Sequence, residues 1–407
     1  MHLASAAMAA TATLALFASA SLGQSSVRDF GAVGDGNADD TAAFQAAIDA
    51  CAAAGGGIVA APVGNYLIAG HLTVKPNVTL QGVWTTPTAR TQNQGTTLLA
   101  TEGAGNADGE PFITLLANGA LKGLTVFYPQ QTIPPQPYPW CVRGIGDNCS
   151  LVDVLLANPY QGVDFGTYPA GRHYIKTLYG QPLLKGLFID KCFDVGRVED
   201  VHFWPFWNTD GLEWTRQNGE AFIIGRTDWE YLVNLFCISY KVGFHFIPTA
   251  DGAPNCVLTQ CGSDVGPCAV LVDDCQGHAG LSFSNSQFMA GIVVSPTNTG
   301  PVKFTSCGFW GLGETAEHAR IAGSGQAFFT GCHFIGWGQA DAAAPAIRAV
   351  SGGLTVQGCD FMDAGKPQIT LEEGVEAALI LGNRFRGGQQ VTNNAQGDVQ
   401  MGLNAGR

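Results

Sequence analysis

Apolar and polar residues alternate in a short unit that recurs through the last third of the chain. Each unit has an apolar alternation, a small polar residue, then Ser, Cys or Asn, and a closing phenylalanine. Alternation with aromatic and β-branched residues predicts a strand, and the Gly, Asn and Ser beside it predict a turn. The five units are FSNSQF (283–288), FTSCGF (304–309), FTGCHF (329–334), VQGCDF (356–361) and ILGNRF (380–385).

The spacing of these units predicts an all-β solenoid. Their closing phenylalanines are 21, 25, 27 and 24 residues apart. One strand-and-turn unit of this period stacks on its neighbours because it cannot bury its apolar face alone, which indicates a parallel β-helix. We expect roughly a dozen or more turns in a column on the order of 55–70 Å long. One inward-facing stack is then predicted, made of Ser286, Cys307, Cys332, Cys359 and Asn383.

A helical pattern precedes the first strands. Asp40 or Thr41 can begin a helix near 41–54, and the glycines 55–57 end it. Such an amphipathic helix would cap the first exposed turn of the column. Its predicted apolar face consists of Phe44, Ala47, Ile48 and Cys51.

Residues 27–70, VRDFGAVGDGNADDTAAFQAAIDACAAAGGGIVAAPVGNYLIAG, resemble the N-terminal signature of the pectate-lyase superfamily. That superfamily includes polygalacturonase-related hydrolases, rhamnogalacturonases, mannuronan epimerases, exo-glucanases and phage tailspikes. The resemblance implies a single right-handed parallel β-helix. It does not choose a reaction, because the superfamily spans hydrolysis, elimination, epimerisation and adhesion.

The ends of the chain differ from the repeats. Residues 1–23 contain an Ala-rich apolar stretch followed by small residues, which predicts a signal peptide and a secreted or periplasmic protein. The β-helix domain is predicted over 24–390, and 391–407 form a polar tail that wraps the end of the column or is disordered. The net charge of −13 argues against nucleic acid or an anionic membrane as a partner, and it also disfavours a highly anionic glycan unless calcium or a local basic cleft intervenes. The partner implied by the resemblance is a polysaccharide. The sequence is compatible with a monomer or a β-helix homotrimer.

Twelve cysteines in an exported chain would usually predict disulfides. Those in the repeat column fit better as buried, stacked free thiols. The better disulfide candidates are Cys141 with Cys149, or a pair among Cys256, Cys261 and Cys268. No Cys-x-x-Cys pairing with zinc spacing occurs, so no metal site is predicted.

Candidate chemistry concentrates between residues 187 and 232, where four of the eight tryptophans lie. Glycosidic bonds are cleaved by two carboxyl groups that flank the bond, so aspartates and glutamates beside aromatics are the candidates. The predicted catalytic residues are Asp210, Glu213, Asp228 and Glu230. Stacked turns would bring the two pairs within about 5–10 Å. The alternative is that they are solvated turn carboxylates.

Aromatic and basic residues could bind the sugar rings or their charges. The segment GRHYIK (171–176) is the best basic and aromatic set for elimination on a uronate polymer. The predicted substrate-binding residues are Trp140, Tyr160, Arg172, His173, Trp204, Trp207, Trp214 and Trp229.

Two fragments resemble polygalacturonase motifs. Asn208-Thr209-Asp210 matches their Asn-Thr-Asp element and supports Asp210. Asp273-Asp274 resembles their Asp-Asp element, but it follows 63 residues later instead of one turn later, so we do not assign Asp273 to the site.

We therefore expect an exported glycoside hydrolase without a cofactor. The alternatives are a polysaccharide lyase acting on a uronate polymer, for which Ca²⁺ is a possible cofactor, and a glycan-binding protein without catalysis.

Overall fold

The computed structural model describes residues 24–85 and 94–406, and the predicted signal peptide lies outside them. The described chain winds into about 14 turns of a right-handed parallel β-helix, which confirms the predicted fold. Every pairing between the strands of successive turns is parallel, as in Leu151 with Ile175 and Ile175 with Val198. Each turn contributes to three sheets, which we number 1, 2 and 3.

The bounds of the strands follow, sheet by sheet. Sheet 1 contains Gln24–Ser26, Gly57–Ala60, Val78–Gln81, Ala120–Phe127, Ser150–Leu156, Tyr174–Gly180, Arg197–Phe203, Glu230–Ile238, Cys256–Thr259, Leu281–Ser284, Val302–Thr305, Gln326–Thr330, Ile347–Gln357, Ile369–Leu381 and Asp398–Gly402. Sheet 2 contains Asp35–Asp39, Gly64–Ile68, Thr96–Ala100, the second halves of the five strands from Ala120–Phe127 to Glu230–Ile238, Gly262–Asp264, Gln287–Phe288, Gly308–Trp310, His333–Ile335, Asp360–Phe361, Arg384–Phe385 and Ala405–Gly406. Sheet 3 contains Leu72–Val74, Ile113–Leu116, Trp140–Ile145, Gln161–Phe165, Lys185–Ile189, Glu220–Ile224, Val242–Phe246, Cys268–Val272, Gly291–Val294, Ala319–Ile321, the first parts of Ile347–Gln357 and Ile369–Leu381, and Val391–Asn393.

Helices are few. Within residues 24–85 and 94–406 there are two α-helices, α1, Thr41–Ala53, and α2, Leu212–Asn218, and two 3₁₀ turns, Val27–Phe30 and Thr209–Gly211. The predicted apolar face of α1 is buried, as expected. That α1 caps the column stays a prediction. Among the described residues, no helix has the length and hydropathy needed to cross a membrane.

The carboxylate of Asp40, a residue predicted to begin α1, makes different hydrogen bonds from those of a helix cap. Asp40 is the N-cap residue by position, but its carboxylate does not cap the helix. It accepts hydrogen bonds from the backbone amides of Val33 and Gly34 instead, so it fixes the preceding loop. Asp39 accepts from the amide of Thr41 at 3.0 Å.

The corner between sheets 1 and 2 has one residue with positive φ on each of twelve turns. The left-handed conformation turns the chain sharply, and Gly, Asn and Asp adopt it at the lowest cost. This is the small polar position that precedes the inward column in each repeat. The corner residues are Gly123, Asp153, Thr177, Asp200, Asn234, Gln260, Asn285, Ser306, Gly331, Gly358, Gly382 and Leu403.

The next residue along the chain forms the predicted inward stack. Cys307, Cys332 and Cys359 are each at most 2 % exposed, and each thiol donates to a backbone carbonyl of the preceding turn at 3.3–3.7 Å. Asn383 donates to Val356 O in the same way, at 2.9 Å. The stack is therefore a ladder of hydrogen bonds inside the column.

All twelve cysteines are free thiols, so the two proposed disulfide pairings are wrong. Cys149 donates to Gly146 O at 3.3 Å, and Cys261 donates to Thr259 O at 3.5 Å. Each thiol already has a backbone acceptor within its own turn, which explains why pairing is not needed to satisfy it.

Aromatic rings stack along the core at the closing position of the repeats. Phe309 to Phe334 and Phe334 to Phe361 have ring centroids 4.8 Å apart and planes within 11° of parallel. This separation matches the distance between neighbouring strands, so each ring covers the next. Phe361 to Phe385 extends the stack at 4.9 Å.

The polar segment after residue 390 is ordered as a last turn. Val391–Asn393 joins sheet 3, Asp398–Gly402 joins sheet 1 and Ala405–Gly406 joins sheet 2. Backbone pairing therefore continues past the last apolar repeat.

Phe334→Ala should cost about 3–5 kcal/mol of unfolding free energy, because it removes a fully buried ring that is stacked on both sides. Its neighbour Ile335 is 38 % exposed, and Ile335→Ala should change stability by less than about 1 kcal/mol. Denaturant unfolding followed by circular dichroism compares the two. Equal losses would show that the stack does not hold the column together.

Candidate functional site

The outer face of sheet 3 brings titratable side chains from successive turns into contact. His245 points outward because its neighbours Phe244 and Phe246 are fully buried in the core. Glu220 begins the strand one turn earlier, and Asp273 follows the strand one turn later. The three residues lie 25 and 28 positions apart, which is one turn each.

His245 hydrogen-bonds to both acids. Its Nδ1 lies 3.1 Å from Glu220 Oε2, and its Nε2 lies 3.0 Å from Asp273 Oδ2. Ser295 Oγ donates to the other oxygen of Asp273 at 2.8 Å. A ring that faces a carboxylate at each nitrogen is best satisfied as the imidazolium, with both nitrogens donating. We call Glu220, His245 and Asp273 the outer triad.

The charges of the outer triad reinforce one another. Burial lowers the pKa of His245, but the hydrogen bonds to Glu220 and Asp273 outweigh it and the pKa is raised. The hydrogen bond from His245 holds the pKa of Glu220 below its usual value, with smaller help from Lys185 and Lys241. The three side chains are 15–36 % exposed, so solvent and a ligand can reach them.

Aromatic and basic residues flank the outer triad on the turns before it. Lys185 pairs directly with Glu220 in the sheet, and its Nζ lies 5.8 Å from the ring centroid of Trp140. Trp140 stacks on Phe188 at 6.3 Å. These contacts place one ammonium group, that of Lys185, one turn from Glu220, while the Trp140 ring is only 8 % exposed and lies two turns before Lys185.

The four predicted catalytic carboxylates do not form one site. Asp210 and Glu213 lie on the 3₁₀ turn and α2, which precede the strand Glu220–Ile224. Asp228 follows that strand. Five residues of strand span about 16 Å, so the two groups lie farther apart than a carboxyl pair that cleaves a glycosidic bond.

Three of these carboxylates have partners that limit their chemistry. Asp228 forms a two-pronged ion pair with Arg226, with bonds of 2.6 and 3.0 Å, which lowers its pKa. Glu213 contacts Arg216 at 3.6 Å. Glu230 is fully buried and lies 2.9 Å from His173, which is also fully buried. A polymer on the surface therefore cannot contact Glu230 or His173.

The other predicted sugar-binding residues divide among several regions. Trp140 lies beside Lys185, and Tyr160 and Trp214 form a second pair with rings 6.2 Å apart near the start of sheet 3. Trp204 and Trp207 pack with Phe206 on the outer side of sheet 2.

The remaining two predicted residues follow sheet 3. Arg172 is held by ion pairs with Asp147 and Asp194. Trp229 is 60 % exposed and precedes sheet 1. Of the predicted sugar-binding residues, Trp214 comes nearest in the chain to the outer triad, on α2 just before the strand of Glu220.

The sequence pattern does not single out Glu220 or His245, and the spacing of Asp273 from Asp210 argues against assigning it to the site. His245 stands in VGFHF, which reads as an ordinary strand. The available signal was a polar residue at an outward position between two core phenylalanines. The register that joins it to Glu220 and Asp273 across turns was not visible in the sequence.

Two clefts lie away from the outer triad. One, of about 510 Å³, runs between α2 and the loop 312–315 and includes Glu213. The other, of about 460 Å³, lies on the outer face of sheet 2, between Phe236 and Trp310. Met289 lines both, so they are neighbours. They are the alternative places for a ligand.

His245→Gln removes the imidazole and should lower the free energy of unfolding, mainly between about pH 4.5 and 6.5. Because the pKa of His245 is raised in the folded protein, its charge stabilises the fold fully below pH 6.5. This stabilisation is lost as the pH rises through the pKa of His245 in the folded protein. Because the pKa of Glu220 is lowered in the folded protein, its charge stabilises the fold fully above pH 4.5. This stabilisation is lost as the pH falls through the pKa of Glu220 in the folded protein.

Melting temperatures measured from pH 4 to 9 test this expectation. The difference between wild type and His245→Gln should shrink toward high pH. His333→Gln, which changes an exposed histidine on sheet 2, serves as the control and should show no such dependence. A pH-independent difference at His245 would contradict a charged triad.

Known proteins match part of this chain in sequence. The family described as rhamnogalacturonase A/epimerase, pectate lyase-like matches residues 24–129. Mannuronan C5-epimerase AlgE3 of Azotobacter vinelandii is 56 % identical over 63 residues, which are 14 % of this chain and 3 % of that protein. Alginate lyase 7 of the same organism is 51 % identical over 63 residues, 14 % of this chain and 7 % of its own. The chain thus spans only a small part of these curated relatives.

Solved structures match along almost the whole chain. The A-module of mannuronan C-5 epimerase AlgE6 of A. vinelandii has a TM-score of 0.54 at 16 % identity, covering 94 % of this chain and 99 % of its own. Gene product 12 of bacteriophage phi29 has a TM-score of 0.65 at 14 % identity, covering 89 % and 52 %. The tailspike of E. coli bacteriophage HK620, solved with a hexasaccharide, has a TM-score of 0.56 at 13 % identity, covering 92 % and 78 %. The N-terminal segment of this chain is therefore similar to the pectate lyase-like family, and its fold is similar to that of these β-helix structures.

Proposed function

We propose that this chain is an enzyme acting on a polysaccharide, with the outer triad as its proton-transfer centre. The observation that carries the proposal is an imidazole hydrogen-bonded to two acids on an exposed sheet face, with solvent access to all three. Positioned acids and bases of this kind move protons in glycoside chemistry. A signal peptide, which the sequence predicts, fits a polymer outside the cell.

Hydrolysis is the reaction that the outer triad supports best. It needs one carboxyl group that donates a proton to the glycosidic oxygen and one carboxylate that takes a proton from water. Glu220, whose pKa is lowered, serves as the carboxylate. Asp273 serves as the acid, receiving its proton from His245 Nε2 at 3.0 Å.

His245 lies between the two acids, with Glu220 at Nδ1 and Asp273 at Nε2. The imidazole fills the gap between the two oxygens that it bridges, so a sugar and a water would approach the triad from its solvent-exposed side. The separation of the two acids therefore does not select inversion or retention.

The aromatic pair Tyr160 and Trp214 supplies the platform for the sugar. Ring faces bind the apolar faces of pyranose rings, and the half-buried rings of Tyr160 and Trp214 lie 6.2 Å apart, with Trp214 on α2 just before the strand of Glu220. A polymer that runs along the column would then cross the triad after stacking on these rings.

Elimination or epimerisation on a uronate polymer is the second candidate. These reactions need a base and a cation that neutralises the uronate carboxylate. Lys185, paired with Glu220 across one turn, supplies such a cation. The names of the matched relatives, mannuronan epimerases and an alginate lyase, point to uronate polymers. The expected use of Ca²⁺ belongs to this candidate and stays a prediction.

Glu220→Gln and Asp273→Asn should each lower kcat by at least about 100-fold while the protein still binds the polymer. The assay is a panel of neutral and acidic polysaccharides, read by new reducing ends and by the near-ultraviolet absorbance of unsaturated uronates. Asp360→Asn, which removes a carboxylate paired with Arg384 on sheet 2, is the matched control and should keep full activity.

Asp210→Asn separates this site from the one that the sequence indicated. Loss of activity in Asp210→Asn with normal Glu220→Gln would move the site to the cleft beside α2. Retention on a glycan column with no product in either assay, for the wild type, would make the chain a binding protein.

Lys185→Met distinguishes the two reactions. On a uronate polymer it should raise KM or abolish the absorbance signal, because the cation beside Glu220 is lost. Cleavage of a neutral polymer should change less than about threefold. Equal losses on neutral and acidic polymers would contradict a carboxylate-binding role for Lys185.

A further inference from the structure

Three side chains of a kind that binds metals meet inside the column, away from the outer triad. His173 precedes the strand Tyr174–Gly180, Cys192 follows Lys185–Ile189, and Glu230 begins Glu230–Ile238. Their ligand atoms all lie within 4.8 Å of one another, and none of the three residues has exposed surface.

The absence of a side chain at Gly196 allows His173 and Glu230 to contact each other. Tyr174 pairs with Arg197, and Arg197 with Tyr231, so Gly196 occupies the turn between His173 and Glu230. A Cβ atom at Gly196 would lie 2.2 Å from Glu230 Oε2 and 2.6 Å from His173 Cε1. Any other residue there would therefore occupy the space in which the two side chains meet.

The hydrogen bonds of His173 require a positive charge between it and Glu230. Nδ1 lies 2.8 Å from Ala170 O, which only accepts, so Nδ1 carries a hydrogen. Nε2 lies 2.9 Å from Glu230 Oε1. Two lone pairs cannot face each other at that distance, so either a proton or a metal ion lies there.

The other oxygen of Glu230 favours the metal. Glu230 Oε2 is buried and has no hydrogen-bond partner among the described residues. An unpaired buried carboxylate oxygen is costly, and a cation would satisfy it. The bond from His173 Nδ1 to a backbone carbonyl is also the outer-shell contact that orients metal-binding histidines.

We infer that His173, Cys192 and Glu230 form a buried site for one transition-metal ion of the zinc type. One imidazole nitrogen, one thiolate and one carboxylate match the ligands and small coordination number of Zn²⁺. Without a metal, the Cys192 thiol donates to Asp194 O at 2.8 Å. Binding of M²⁺ would release two protons, one from the His173–Glu230 pair and one from this thiol, which would give up that hydrogen bond. A neutral imidazole and two negative ligands then balance the charge of the ion.

Sequence spacing gives no sign of this site. Its ligands are 19 and 38 residues apart, since they come from different turns and meet through the intervening Gly196. The site is separate from the proposed active site and would stabilise the column whatever its reaction.

Cobalt substitution of the full-length protein tests the inference. Co²⁺ should give a thiolate-to-metal absorption band in the near ultraviolet, which Cys192→Ala abolishes. Cys307→Ala, which removes an equally buried thiol from the inward stack, should keep the band. A band that persists in Cys192→Ala would overturn the assignment.

X-ray absorption at the zinc edge of the unmutated protein covers the case in which Cys192→Ala does not fold. The account predicts about one zinc per chain, with one sulfur at about 2.3 Å and nitrogen or oxygen at about 2.0–2.1 Å. Less than about 0.1 zinc per chain after incubation and dialysis, or a shell without sulfur, would show that a proton occupies the position.

Discussion

The in-register stacking of successive turns is the constraint on which the rest of this molecule depends. On twelve turns the corner between sheets 1 and 2 has one left-handed residue, such as Asn285 or Gly331, and the next residue points into the column. A shift of one residue would send every inward side chain outward. The Cys and Asn ladder and the stacked phenylalanines act together against such a shift, because both require like positions to lie one strand apart.

The same register brings the side chains of the outer triad together on the outer face of sheet 3. Backbone pairing that places Phe222 on Phe244 in the core also brings Glu220 and His245 together on the surface. In a solenoid, residues about 25 positions apart become neighbours, so a site can arise from single polar residues on consecutive turns. The buried His173–Glu230 contact follows the same rule across two turns.

The sequence predicted the column well and the site poorly, for physical reasons. The repeat and the N-terminal signature specify the fold because core positions recur with a fixed period, and α1 and the Cys column lie where the pattern placed them. The site has no period. Glu230 and Asp228 stand beside Trp229 in the sequence, yet one is inside the core and the other pairs with Arg226. Only the register decides which carboxylates share a face, and it depends on loop lengths that the pattern does not fix.

A crystal structure of Glu220→Gln with a bound oligosaccharide tests the central claim, that the outer face of sheet 3 is the active face. The result expected is a sugar chain stacked on Tyr160 or Trp214, with a glycosidic oxygen within hydrogen-bond distance of Asp273. A sugar chain seated between Phe236 and Trp310 on sheet 2, with the outer triad empty, would contradict it.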